Sequence, residues 1–197
     1  MLIAQSSEDL GWESPDLSMT CIGRDWYGRT LDVPACFGLA LDRSSLWFVA
    51  ARDKAATNHP GARPGKFVPG LWQYDVAEFF LHDSRSGRYL EFNLAPNGAW
   101  WSAEFSAVRV RQCEDDVPIP GVRIYCRASP AGHWQAAAAI PLDFLRDRFD
   151  FGDHTGVNVT FILDSPEQRF LSANPPVEGE PDFHRLDLFS TVEFRPD

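Results

Sequence analysis

No stretch of this chain approaches the roughly 20 apolar residues of a membrane-spanning helix. The opening MLIAQSSEDLGWESPD has no basic region and only a three-residue apolar run, so it does not read as a secretory signal. Positive charge is scarce. Eighteen Lys and Arg stand against 28 Asp and Glu, a net of −10 without any basic cluster, which argues against a nucleic-acid backbone or an anionic membrane as partner. Cysteine is sparse too. Cys21, Cys36, Cys113 and Cys126 show no C-x-x-C spacing, so a thiolate metal site is not expected, and without an export signal all four are read as reduced thiols. No Gly-x-Ser-x-Gly elbow occurs, which leaves Ser-His-Asp catalysis without its nucleophile. Internal repeats and linkers are absent as well. The expectation is one soluble, cytoplasmic, non-catalytic domain over residues 1–197.

Aromatic residues are plentiful, 13% with seven tryptophans, and hydrophobic residues make up 44%, enough for a sizeable core. The pattern is clearest in 70–105, GLWQYDVAEFFLHDSRSGRYLEFNLAPNGAWWSAEF. Alternating segments Asp75–Asp83, Arg88–Ala95 and Ala99–Ser106 are separated by Ser84-Arg85-Ser86-Gly87 and Pro96-Asn97-Gly98, which predicts a three-strand antiparallel meander. Closing the first turn at Asp83 and Arg88 sets Leu81 against Leu90, Phe79 against Phe92 and Ala77 against Leu94. An even-length turn at Asn97-Gly98 sets Leu94 against Trp101, Phe92 against Ala103 and Leu90 against Phe105. One face is then apolar throughout. The other carries Glu78 opposite Asn93, Asn93 with Ser102, Glu91 opposite Glu104 and His82 opposite Tyr89, beside Phe80 and Trp100. Such a face suits a ligand-lined sheet and equally a solvent-facing one.

Elsewhere strands are expected at Leu17–Ile22, in a hairpin of Phe37–Leu41 with Leu46–Ala51, and at Val108–Cys113, Val122–Ala128, His133–Ile140, His154–Leu163 and Ser190–Phe194. Pro141–Leu145 reads as a short helix with proline in its first turn. Residues 53–70 form a long Pro/Gly loop, either a rim over a ligand face or a crossover between two sheets. Many short strands with regular turn signals and little helix predict a β-sandwich.

Leu71-Trp72-Gln73-Tyr74-Asp75-Val76-Ala77-Glu78-Phe79-Phe80-Leu81, then Tyr89-Leu90-Glu91-Phe92-Asn93, Pro96-Asn97-Gly98 and Pro181-Asp182-Phe183-His184 resemble the family-9 carbohydrate-binding modules and the related bacterial DOMON-like domains. The resemblance runs from about 34 to 194 and implies an all-β, jelly-roll-like sandwich of two antiparallel sheets. It also implies a site. Trp72 stands where that family has a sandwiching tryptophan and Glu78 where it has a hydroxyl-binding glutamate. Asn93, Thr160 and Arg169 match polar positions, and Phe183, with His184 beside it, matches the partner aromatic. The implied ligand is a saccharide or a similar polyhydroxylated small molecule, stacked on aromatics with Glu, Asn and Arg reading its hydroxyls. A structural or protein-interaction domain without a sugar site is the alternative. Phenylalanine at 183 lacks an indole's area and N–H. Haem is not expected, since Met19 is the sole methionine besides the initiator. For the facing Glu91 and Glu104 an arginine from a neighbouring strand is expected as partner, with calcium as the other candidate. Of the Glu-x-Asp-x-x-Glu pattern of sandwich-fold glycosidases only Asp75-Val76-Ala77-Glu78 is left, and hydrolysis needs two carboxyls about 5–10 Å apart.

Overall fold

Alternating side chains bury one face of a strand, and this chain builds nearly everything that way. The computed structural model describes residues 1–12, 17–175 and 178–196, and Ser14-Pro15 lies outside them. Its strands are β1 (Leu2–Gln5), β2 (Thr20–Arg24), β3 (Thr30–Leu41), β4 (Ser45–Arg52), β5 (Val76–Asp83), β6 (Tyr89–Leu94) and β7 (Trp100–Ala107). They continue as β8 (Val110–Arg111), β9 (Arg123–Ala128), β10 (Trp134–Pro141), β11 (Thr155–Leu163), β12 (Arg169–Ser172), β13 (Ser190–Thr191) and β14 (Glu193–Pro196). One helix, α1 (Leu142–Phe149), follows Pro141 and ends on Asp150 in the left-handed region. It runs four residues beyond the expected segment. No helix among the described residues is long and apolar enough to cross a membrane.

Two sheets form the sandwich. The first runs β14-β1-β3-β4-β10-β9 with β2 also on β3, and the second β12-β11-β5-β6-β7-β8 with β13 also on β11. Pairing is antiparallel except around β1, which lies parallel to both β14 and β3. The core between the sheets joins Phe37, Leu39, Leu46, Phe48, Ala138 and Ile140 to Phe79, Leu81, Leu90, Phe92, Val159 and Phe161. Phe48 and Phe79 meet across it at 5.6 Å. Residues 53–70 are the crossover from β4 to β5. They pack in on the way, Phe67 lying edge-on to Trp100 at 5.0 Å while Val68 N–H donates to the Trp100 carbonyl.

The β5–β6 register is as expected, with Glu78 opposite Asn93 and His82 opposite Tyr89. The β6–β7 register is not. Leu94 faces Trp100, Asn93 faces Trp101, Phe92 faces Ser102, Glu91 faces Ala103 and Leu90 faces Glu104. The turn is odd. Ala95 N–H donates to the Ala99 carbonyl, Gly98 N–H returns to Ala95, and Gly98 sits at φ 79°. That is the three-residue loop closing on a left-handed glycine, and it shifts β7 by one residue. Trp100 therefore stacks on Phe92 inside the sandwich at 5.4 Å, and Trp101 turns to the outer face. Glu91 and Glu104 lie on opposite faces and cannot share an ion. Arginine does satisfy Glu104, since Arg88 and Arg148 reach its carboxylate at 3.2 and 2.9 Å.

A second correction concerns the thiols. Cys21 and Cys36 face each other across β2–β3 and are bonded as a disulfide, leaving Cys113 and Cys126 free. Spacing along the chain carries no trace of this, because residues 15 apart in sequence meet only once β2 lies on β3. Denatured, unreduced protein should titrate two thiols; a count of four would remove the bridge.

Candidate functional site

The outer face of the second sheet is not bare. Val76 and Phe80 of β5, Tyr89 of β6, Trp101, Ala103 and Phe105 of β7 and Ile162 of β11 form a second apolar cluster with Phe183 and Leu188. Residues 178–189 fold back over part of this face and leave an open cavity of about 420 Å³ beside them. Glu78, Phe80, Glu91, Trp101, Phe105, Ile162 and Phe170 line it from the sheet, and Trp72, Pro181, Asp182, Phe183 and His184 from its sides, with Arg109 and Arg111 at the β7–β8 end.

Each wall has a local cause. Trp72 is carried on a 3₁₀ turn, Leu71–Gln73, whose Leu71 is 1% exposed while Trp72 is 41% exposed. The turn is anchored by leucine, and the indole is left to lean on Trp101 with centroids 5.5 Å apart. The opposite wall is latched from the β2–β3 turn. Trp26 Nε1 donates to the Gly179 carbonyl at 2.7 Å, Tyr27 Oη donates to Glu180 at 2.6 Å, and the Trp26 ring lies 5.7 Å from Phe183.

Two carboxyl groups lie on the sheet side of the cavity. Glu78 accepts a hydrogen bond from Thr160 Oγ1 at 3.0 Å, and Glu91 accepts one from Asn93 Nδ2 at 3.1 Å. Burial, reinforced by the nearby Glu91 charge, raises Glu78 well above the ordinary carboxylate range. Burial also pushes Glu91 up to about 7, against the opposing pull of Asn93 and the two arginines. His184 is pushed the other way, to about 4, first by burial and then by Arg109. It is a neutral imidazole at pH 7, and its tautomer follows from its neighbours. Arg109 N–H donates to Tyr89 Oη at 2.9 Å, so the Tyr89 hydroxyl proton is directed to His184 Nδ1 at 2.8 Å. Nε2 then carries the imidazole proton, 3.7 Å from Glu91 Oε2.

Of the seven expected site residues, Trp72, Glu78, Phe183 and His184 line the cavity. Asn93 and Thr160 are fully buried behind it and orient the two carboxyl groups. Arg169 is elsewhere. Its guanidinium pairs with Asp25 at 2.9 Å and donates to the Arg29 and Thr30 carbonyls, which ties β12 to the β2–β3 turn. Trp101, Phe105, Arg109, Arg111 and Phe170 were not foreseen. Trp101 alone had a legible signal, the three-residue reading of Pro96-Asn97-Gly98.

A metal has one grouping of donors among the described residues, where Asp83, Asp150 and His154 bring an atom each within 4.8 Å of one another. Arg85 already pairs with Asp150 at 2.6 Å, and Ser86 and the Arg85 N–H hold Asp83.

The antiparallel sandwich is a fold found in other solved structures. The structure is similar to a proposed carbohydrate-binding protein from Bacteroides uniformis, with a TM-score of 0.73 and 16% identity over 99% of this chain and 98% of that one. It is also similar to a family-9 carbohydrate-binding module from Caldicellulosiruptor kristjanssonii solved in complex with glucose, with a TM-score of 0.64 and 16% identity over 100% and 96% of the two chains. The same organism's module in complex with cellotriose matches at TM-score 0.64 and 14% identity, over 100% of this chain and 94% of that one. At such identities the likeness is one of fold. By sequence the chain belongs to the UPF0462 family. It is 30% identical over 143 residues to the UPF0462 protein C4orf33 homolog of Mus musculus, covering 68% of this chain and 69% of the mouse protein. The human protein is 27% identical over 168 residues, 82% of this chain and 76% of its own length. These relatives are mammalian, whereas the DOMON-like resemblance concerned bacterial domains. No protein-family model matches the chain.

Proposed function

We propose that this protein is a non-catalytic saccharide-binding domain whose ligand lies in the cavity on the outer face of the second sheet. One observation carries the reading: Glu78 and Glu91, each fixed by a buried neighbour, stand beside Trp72, Trp101 and Phe183 in one open cavity. An aromatic face takes the apolar side of a pyranose. A carboxyl group raised toward neutrality both donates and accepts, which is what a ring of hydroxyls requires. The glucose and cellotriose complexes of modules with this fold support the same reading. Asn93 and Thr160 act by holding the carboxyl groups, and Arg169 has no direct part.

The test is a tryptophan-fluorescence titration with mono- and oligosaccharides, since two indoles line the cavity. A saturable change is the expected result. Glu78→Gln should lower affinity roughly tenfold, the cost of one charge-assisted or strong hydrogen bond to ligand, without lowering the melting temperature. Absence of any saccharide response would favour a structural or protein-interaction domain that keeps the sandwich alone.

A further inference from the structure

The cavity buries two carboxyl groups that no arginine or lysine among the described residues pairs with. Glu78 and Glu91 are 2% and 7% exposed and lie diagonally on neighbouring strands, since Glu78 pairs with Asn93, two residues along from Glu91. Other buried acids have strong partners. Asp25 has Arg169, Asp42 has the Trp47 indole and several backbone N–H groups, and Asp83 has Ser86 and the Arg85 N–H. Glu78 has only the Thr160 hydroxyl, and Glu91 an amide and a neutral imidazole. Among the described residues no arginine or lysine forms an ion pair with either. The two guanidinium groups at the cavity are engaged, Arg109 with Asp182 at 2.7 Å and Arg111 with Asp116. Burying a carboxyl without a cation is costly, and two adjacent ones more so.

One further polar atom points to a ligand. Trp101 lines the cavity, 4% exposed, and its Nε1 has no hydrogen-bond partner. An indole N–H in this position asks for an acceptor such as a hydroxyl oxygen. The aromatic walls favour a cation over an anion, because ring faces are negative.

We propose that the ligand is an amino sugar, its ammonium group taken by Glu78 and Glu91 and its ring laid against Trp72 and Trp101. This rests on the saccharide reading of the same cavity and narrows it. An ammonium brings three N–H donors and a full positive charge to the place where a neutral sugar leaves two carboxyls facing one another. Its own hydroxyls supply the acceptor that Trp101 lacks. His184, neutral and presenting Nε2–H toward Glu91, adds no competing charge.

Calorimetric titration at pH 7 with glucosamine, galactosamine and mannosamine, each beside its parent hexose and its N-acetyl form, tests this. At least one free amine should bind roughly tenfold or more tightly than both neutral counterparts, the usual margin for a charge-assisted hydrogen bond. Glu91→Gln should bring that ratio close to one. Equal affinity for amine and neutral forms overturns the inference and leaves the saccharide reading standing. An amine preference that survives both Glu91→Gln and Glu78→Gln overturns it too, since the charge would be read elsewhere. If none of the nine sugars binds, the inference falls, while the saccharide reading falls only if the oligosaccharide titration is silent as well.

Discussion

Trp72→Ala is expected to abolish saccharide binding while lowering stability by less than about 1 kcal/mol, and Trp100→Ala to do the reverse, costing roughly 3–5 kcal/mol. The two indoles differ in what surrounds them. Trp100 is 6% exposed and stacks on Phe92 within the core between the sheets, with Phe67 edge-on to it. Removing it opens a cavity that Phe92 and the crossover cannot close. Trp72 is 41% exposed, and its turn is held by Leu71 and by Gln168 Nε2 donating to the Trp72 carbonyl, not by the indole. The ring itself contributes contact area to the cavity and to Trp101. Chemical denaturation and sugar titration of both variants check the pair. A loss of several kcal/mol for Trp72→Ala, or full binding without its ring, would remove the cavity from consideration as the site.

Glu91→Gln should stabilise the protein in alkaline solution and not in acid. Burial keeps the Glu91 carboxyl protonated up to about pH 7 in the folded chain, against an ordinary value of 4.5. The folded state thus holds an extra proton between those two values. Stability from this group is complete below pH 4.5 and is lost as pH rises to 7, amounting to roughly 3 kcal/mol at about 1.4 kcal/mol per pH unit. Glutamine does not ionise and escapes that loss, and it also relieves Glu78 of a neighbouring charge. His184 slopes oppositely in both proteins. Held neutral down to about 4, it withdraws stability as pH falls from 6.5. Of the groups facing Glu91, which are Glu78, Tyr89, Arg109, Arg111, Asp182 and His184, only Glu78 is expected to follow the substitution, and it does so in the same direction. The difference in unfolding free energy between wild type and variant, measured from pH 4.5 to 8, should grow by about 3 kcal/mol in the variant's favour. A flat difference would mean that Glu91 is not held protonated.

Much of this architecture could be read from residue order. Alternation in 75–105 gave the meander, and the Asp83–Arg88 turn gave the β5–β6 register, because only one phase keeps Leu81, Phe79 and Ala77 on the face of Leu90, Phe92 and Leu94. The next register failed at a doublet. Trp100 and Trp101 are both large and apolar, so either phase buries a tryptophan, and the alternation that settles other strands is silent there. Loop geometry decided it, through a glycine in the left-handed region that an even turn has no use for. Trp72, Glu78, Phe183 and His184, which the family pattern singled out, all line one cavity, since each depends on local spacing within a turn or strand.

What the chain order could not supply was contact across distance. Arg109 and Arg111 enter the cavity because the short β7–β8 turn brings them beside residues 181–184, and Arg169 leaves it because Asp25, 144 residues away, offers a buried carboxylate. Cys21 finds Cys36 only once β2 lies on β3. The same holds for charge. Nothing in the letters says that Glu78 and Glu91 lack a basic partner, because ionisation of a carboxyl is set by water and counter-ions around it. Those are settled only when the sheet closes and residues 178–189 fold over its outer face.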